Sequence, residues 1–508
     1  ATYLGGGVRE VAHPSYQAWT YAALLEDYNE TVQEEGVELR PCAYLHNCDA
    51  EELRGPFYRE HVERAPLFLR QDQEVLQRFI RRYVKNGDAG ELMYRIDQGR
   101  IRPSKALADH LSGLLCGNRE FHLIDDQKLV YETALAAAEE AQAGQKQVYI
   151  VEGGPGTGKS VVAVNLLVEL TNRGRVAQYV TRNAAPRDVY AAKLAGTLRK
   201  TRINNLFKGS GAYVDTEENA FDALIVDEAH RLNERSGMFR NQGENQIKEI
   251  IHAARAAVFF IDESQRVTLH DIGRVAEIER LAAAAGACVT RGELASQFRC
   301  NGSDGYLAWL DHALQVRETA NTDLNGVDYD FRVVGSPTEL RELIEDVNLA
   351  NNRSRMVAGY CWDWRSKKEP EAFDIEFPEH GFAAQWNLAE DGHLWILKPD
   401  SVEQVGCIHT CQGLELDHVG VIIGPDLLVR DGEVVTDGFA RSRHDRTMHG
   451  FKTLHRRDPA AARAAADEII KNTYRTLMTR GTKGCFVWSP DAETRAYFAA
   501  ATRPPAAP

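Results

Sequence analysis

From about residue 119 onward, short apolar runs alternate with longer stretches whose apolar residues recur at helical spacing. The runs are Val148–Val151, Val176–Val180, Ala223–Val226, Val258–Ile261, Met356–Tyr360, Val419–Ile423 and Cys485–Trp488. Strands separated by helices predict parallel sheets with crossover helices. The first four runs predict one sheet and the last three a second, so the fold class is α/β with two lobes and a cleft between them. Ala134–Ala143 and Ala460–Ala466 read as helices. Residues 1–118 carry a different pattern. His13–Tyr28 has helical spacing, Val37–Leu45 resembles a strand, Glu74–Val84 an amphipathic helix, and Pro103 with Ser104 opens another helix. The expected organisation is a small α/β domain over 1–118, a first lobe over 119–290, a second over 291–500, and a disordered Pro- and Ala-rich tail over 501–508.

Composition narrows the class. The 508 residues suit two to four domains, and 44% apolar with 26% charged residues is ordinary for soluble globular protein. No run of about 18 uncharged apolar residues is present, so no membrane span is expected. The first residues do not read as a signal peptide. The chain does not start with Met, which fits a fragment or a processed product. Nine scattered cysteines, with no C-x-x-C pair and no zinc spacing, predict reduced thiols in a cytoplasmic protein. A net charge of −14 counts against a duplex-coating protein, although a motor can line one groove with Lys and Arg.

The chemistry begins at Gly153, Gly154, Pro155, Gly156, Thr157, Gly158, Lys159 and Ser160, which fit G-x-x-x-x-G-K-[ST]. The motif follows an apolar strand and opens an apolar helix, as a phosphate-binding loop must. Glycines let backbone N–H groups curl around phosphate oxygens, and the helix N-terminus adds a favourable dipole. Lys159 should reach the β- and γ-phosphates of ATP, and Ser160 should bind Mg²⁺. Ala223–His230 supplies the matching acidic strand end, with Asp227 for the metal and Glu228 to polarise the attacking water.

Further motifs follow in order. Phe121–Gln127 resembles the Q motif of helicases, in which the amide of Gln127 would read the adenine edge. Phe259–Gln265 resembles motif III, with Gln265 as a γ-phosphate sensor. Leu294–Arg299 resembles motif IV, His409–Glu415 motif V, and Tyr474–Arg480 motif VI. Arg299 and Arg480 would stabilise the negative charge that phosphoryl transfer develops on the γ-phosphate oxygens, a surface salt bridge being the alternative for either alone. Glu415 holds the ribose or links ATP to the nucleic-acid groove, with Gln412 and Gly413 in the turn beside it; an ordinary turn is the alternative.

Together these motifs, spanning Phe121 to Trp488, resemble superfamily 1 helicases. More narrowly, Asp227–Arg231, Gln297–Cys300 and Cys411–Glu415 resemble a bacterial helicase-like ATPase family related to the Schlafen helicase domain. The resemblance implies two RecA-like lobes of the P-loop NTPase type. Members of that family often begin with a PD-(D/E)xK-type nuclease domain. Leu4–Glu10 and His13–Trp19 resemble the stretch after its catalytic strand, with Gln17 and Tyr21 on the helix. No Asp…Glu-x-Lys set can be placed in 1–118, so this chain alone is not expected to cut nucleic acid.

Partner calls rest on charge and rings. Arg187, Lys193, Arg199, Lys200, Arg202 and Lys208, with Tyr190 and Phe207 interleaved, form one candidate groove for single-stranded DNA or RNA. Arg441, Arg443, Arg446, Lys452 and Arg456 form a second. A solvated helix face is the alternative for either. Trp362, Trp364 and Trp386 suit stacking or a core. The expected function is a nucleic-acid-stimulated ATPase that translocates or unwinds. The alternatives are an ATP-gated switch and the motor half of a nuclease–helicase protein, for example in phage defence.

Overall fold

All seven apolar runs lie in two parallel sheets. The computed structural model describes residues 2–4, 7–9, 13–87, 91–97, 123, 125–194, 200–237, 241–295, 304–369, 371–386, 395–396, 398–411 and 416–503. Residues Ala1–Thr133 form one compact unit and Ala134–Pro508 another.

In the second unit, the first sheet contains β1 (Gln147–Gly153), β2 (Ala177–Val180), β3 (Phe207–Lys208), β4 (Phe221–Val226), β5 (Ala254–Ile261) and β6 (Cys288–Leu294). Their order across the sheet is β6-β1-β5-β4-β2-β3, all parallel. The second sheet contains β7 (Asp330–Val333), β8 (Ser354–Ala358), β9 (Val405–Gly406), β10 (Leu416–Ile422) and β11 (Gly481–Trp488), in the order β7-β11-β10-β8-β9. These are two RecA-like lobes. Inner strands such as β1, β4 and β5 are buried on both faces, so they read as continuous apolar runs without alternation. The edge strands β6 and β7 mix charged residues with apolar ones, and that hides them from a hydrophobic scan. The first sheet therefore extends through Leu294, past residue 290.

Two helices position the site. Helix α1 (Lys159–Asn172) buries Val162, Ala163, Val164, Leu166, Leu167, Val168 and Leu170, more than a single stripe, and so lies deep in its lobe. Helix α2 (Pro459–Met478) has Asp458 as its N-cap, accepting from the Ala461 amide, and Pro459 in its first turn. Its buried Ala462, Ala466, Ile469, Thr473 and Leu477 recur every three to four residues. Helix Ala492–Ala501 makes residue 501 helical, while 504–508 lie outside the described residues.

The first unit has helices Pro14–Tyr28 and Gln73–Tyr83 and a parallel strand pair, Ala43–Leu45 with Leu67–Leu69. The strand expected from Val37 is thus confined to its last three residues. Pro41, which has no N–H to give a ladder, lies in the irregular part. The helix expected at Pro103 and Ser104 lies outside the described residues. No described helix is long and apolar enough to cross a membrane.

Arg355 on β8 is a buried cation held by neutral oxygens. It donates to Ser401 Oγ at 2.8 Å, Asn348 Oδ1 at 2.9 Å, Asn352 Oδ1 at 2.9 Å and the Lys398 carbonyl at 2.8 Å. Burial lowers its pKa to about 10. Removing the guanidinium takes a buried donor from each of these acceptors. Arg355→Met is expected to cost about 3 kcal/mol or more in urea unfolding. An unchanged midpoint would remove this brace from the account.

Candidate active site

β1 ends at Gly153 and α1 begins at Lys159, so the intervening loop must turn back over the strand end. Gly156 at φ 82° and Gly158 at φ 84° make that turn in the left-handed region, where a β-carbon is strained. The result is a loop closed against the N-terminus of α1, a ready anion site. Lys159 is buried; its Nζ donates to the carbonyls of Gly153 at 2.7 Å and Gly154 at 2.6 Å. The same ammonium lies 4.0 Å from Asp262 Oδ2. Thr157 Oγ1 ties the loop by donating to the Gly154 carbonyl at 3.0 Å.

The parallel register brings three strand ends together: Gly153 at the end of β1, Asp227 after β4 and Asp262 after β5. Ser160 Oγ donates to Asp227 Oδ2 at 2.6 Å, and the Tyr179 hydroxyl donates to the same oxygen at 2.5 Å. A carboxylate and a hydroxyl side by side are hard oxygen donors of the kind Mg²⁺ prefers. Glu228 sits at φ 54°, a left-handed conformation rare for a residue with a side chain. Its Oε2 is buried and makes no hydrogen bond among the described residues. Burial, then the neighbouring Asp227, raises its pKa to about 7, against the pull of Arg480, Arg231 and Lys159.

Asp262 is the hub of the turn Glu263–Gln265 that follows β5. Its Oδ1 accepts from Ser264 Oγ at 2.5 Å and its Oδ2 from Gln265 Nε2 at 2.7 Å. Burial works against its charge, but Lys159, Arg475 and His230 outweigh that and hold it below the usual carboxylate range. His230 is fully buried, and burial pushes its pKa far down. Its Nδ1 accepts from the Asp262 amide at 3.3 Å. From the second lobe, Arg480 Nη2 donates to Gln265 Oε1 at 3.0 Å. A cavity of about 430 Å³ beside the loop is bounded by Gly153, Thr157, Asp262, Glu293 and Leu307.

Lys159, Ser160, Asp227, Glu228, Gln265 and Arg480 are thus brought to one seam. Gln127 is buried in the first unit on helix Asp125–Glu140. Arg299, Glu415, Gln412 and Gly413 lie outside the described residues, as do Arg199 and the side chains of Lys193 and Arg202. Three groove candidates are corrected. Tyr190 and Phe207 are buried and pack on Tyr179, at ring separations of 6.0 Å and 5.6 Å, because all three line the interior of the first lobe. Arg441 is buried between Asp426 and Asp445, which neutralise it. Trp386 belongs to the core of the second lobe, whereas Trp362 and Trp364 are partly exposed. Sequence reasoning gave no role to Tyr179, Asp262 or Arg475. For Tyr179 no sequence signal exists, since it reads as one more apolar residue of a buried strand.

Gly273 packs so closely that a β-carbon would lie 2.0 Å from the Ala229 carbonyl oxygen and 2.6 Å from His230 Cα. Gly273→Ala is therefore expected to displace the turn that carries Glu228 and to cost about 1–3 kcal/mol in urea unfolding. A wild-type unfolding midpoint would contradict that packing.

Comparison with known proteins bears on this arrangement. Residues 146–491 match the family model described as Schlafen group 3, DNA/RNA helicase domain. An uncharacterized protein of Saccharomyces cerevisiae is 21% identical over 400 residues, covering 68% of this chain and 83% of that one. Among solved structures, an arterivirus nonstructural protein 10 helicase in complex with DNA matches at 13% identity and TM-score 0.29. That match covers 71% of this chain and 64%, less than two thirds, of the viral one. The Pif1 helicase of Candida albicans matches at 10% identity and TM-score 0.28, over 71% of this chain and 95% of that one. The helicase domain of Pyrococcus furiosus Hef matches at 9% identity and TM-score 0.28, over 73% and 98% of the two chains. The Gly153–Ser160 loop, the acidic strand ends and the arginine from the second lobe all fall within the matched segment, and the chain belongs to the Schlafen group 3 DNA/RNA helicase domain family.

Proposed function

We propose that this chain is a superfamily 1-type ATPase whose turnover is stimulated by single-stranded DNA or RNA and drives translocation or unwinding. The observation that carries the reading is Arg480 of the second lobe donating to Gln265 of the first, at 3.0 Å, above the phosphate loop. An arginine that crosses a cleft to a strand-end glutamine suits charge stabilisation linked to lobe closure.

Lys159 would exchange the Gly153 and Gly154 carbonyls for the β- and γ-phosphate oxygens of ATP. Ser160 and Asp227 would hold Mg²⁺, which when bound neutralises phosphate charge. Tyr179 keeps a hydrogen bond on Asp227 and so fixes its orientation. Glu228 would take a proton from water, and its raised pKa suits a base working near neutrality. Gln265 would report γ-phosphate occupancy to Arg480. Gln127 would read adenine, Glu415 the ribose, and Arg299 would supply a second cation. Exposed Lys200, Arg446, Lys452 and Arg456 remain candidates for nucleic-acid phosphates.

One observation favours the ATP-gated switch as a second reading. Tyr190, Phe207 and Arg441 are buried, which thins both candidate grooves. Strand displacement separates the two readings, since hydrolysis without displacement or translocation selects the switch.

Lys159→Ala is expected to abolish ATP turnover. Glu228→Gln should lower it by roughly 10²–10⁴-fold while ATP binding persists. In the wild-type chain, single strands should raise turnover, and added salt should weaken that effect. Unchanged turnover in Lys159→Ala would contradict the site assignment.

A further inference from the structure

Arg480 is not alone in crossing the seam. Helix α2 presents Glu468, Asn472 and Arg475 at i, i+4 and i+7, on one face. All three meet the tripeptide Ser264–Arg266 of the first lobe. Glu468 pairs with Arg266 at 2.7 Å, Asn472 Nδ2 donates to the Arg266 carbonyl at 3.0 Å, and Arg475 Nη1 donates to Ser264 Oγ at 2.9 Å.

Arg475 has a second partner in its own lobe. Its Nε and Nη2 both donate to Asp311 on helix Asp304–Ala313. The side chains of Arg475 and Asp311 are 9% and 3% exposed, so the pair is desolvated; Asp311 also accepts from Arg317 Nε at 2.8 Å. The planar guanidinium lets one edge bind Asp311 while another donor reaches across the lobes, a division that a lysine does not reproduce. Beyond Ser264 the connection continues. Ser264 Oγ donates to Asp262 Oδ1 at 2.5 Å, and Asp262 Oδ2 lies 4.0 Å from Lys159 Nζ.

We infer that Arg475, braced by Asp311, is a positioning residue that transmits lobe closure to the phosphate lysine through Ser264 and Asp262. It sets the rotation of the Asp262 carboxylate, whose Oδ1 takes Ser264 and whose Oδ2 faces both Lys159 and Gln265, the partner of Arg480. With the Ser264 hydroxyl absent, Asp262 loses its link to Arg475 and keeps only the one that runs through Gln265 to Arg480. Asp262 Oδ1 is then held by the Ser264 amide alone, at 3.1 Å, and the position of Lys159 follows closure less closely. Because the connection is complete only when the lobes meet, its loss acts on the transition state more than on ATP binding.

The inference rests on the ATPase reading, so both are tested in one experiment. Steady-state ATP turnover is measured on the full chain with saturating single-stranded DNA. Ser264→Ala removes one hydroxyl and leaves the buried Arg475–Asp311 pair intact. It is expected to lower kcat about tenfold with KM for ATP within about twofold. Ser264→Thr, which keeps the hydroxyl, should restore most of the rate. Arg475→Lys should match Ser264→Ala, and the double variant should be no slower than the worse single, as expected for two residues on one path. Should Arg475→Lys fail to fold, the comparison of Ala with Thr at 264 decides. Wild-type kcat in Ser264→Ala, or equal losses in Ala and Thr, overturns the inference. Turnover that survives Lys159→Ala in the same assay overturns the phosphate-site reading and the inference with it. Turnover lost in Lys159→Ala but unaffected in Ser264→Ala overturns the inference alone.

Discussion

Buried charge at the seam between two sheets is the constraint on which the rest of the structure depends. Lys159, Asp227, Glu228, Asp262 and Arg480 are all nearly or fully removed from water. Each would be costly alone, and the cost is met only if opposite charges and dipoles are brought within hydrogen-bond range. Asp262 meets that condition through Ser264, Gln265 and the nearby Lys159. Glu228 meets it least, which is why its carboxyl is displaced towards neutrality.

Topology makes the seam possible. In the first lobe the parallel strands β1, β4 and β5 end side by side, so their C-terminal residues face one edge. In the second lobe, Thr479 and Arg480 precede β11, and that strand's first residue, Gly481, pairs with Leu416 at the start of β10. One lobe therefore contributes strand ends and the other contributes strand beginnings. Glu228 in the left-handed region shows the local consequence, since a residue turned sharply off its strand holds a conformation worth about 1–3 kcal/mol of strain. The surrounding packing, including Gly273 against Ala229 and His230, supports it.

The legible part of the sequence was the part governed by local rules. Continuous apolar runs marked the inner strands because burial on both faces removes polar positions. The loop between β1 and α1 could be placed because its glycines, lysine and flanking elements are contiguous. Edge strands β6 and β7 were not legible, since the charged residues Arg291, Glu293, Asp330 and Arg332 interrupt their apolar positions. Side-chain pairings between residues far apart in the chain were not legible either. Tyr179 looks like any strand tyrosine until Asp227 is placed opposite its hydroxyl, and Arg475 looks like a helix-surface arginine until Asp311 and Ser264 enclose it. Aromatic and basic residues in one stretch suggested a stacking groove at Tyr190 and Phe207, where the fold uses both as core.

The central claim is that an arginine of the second lobe completes a phosphate site in the first. Its most direct test is Arg480→Ala, with ATP affinity measured by equilibrium binding and hydrolysis by single turnover. The account predicts affinity within about threefold of wild type and a hydrolysis rate lower by roughly 10³-fold or more, as for other arginines that act in trans to a phosphoryl group. A hydrolysis rate close to wild type in a folded Arg480→Ala chain would contradict it.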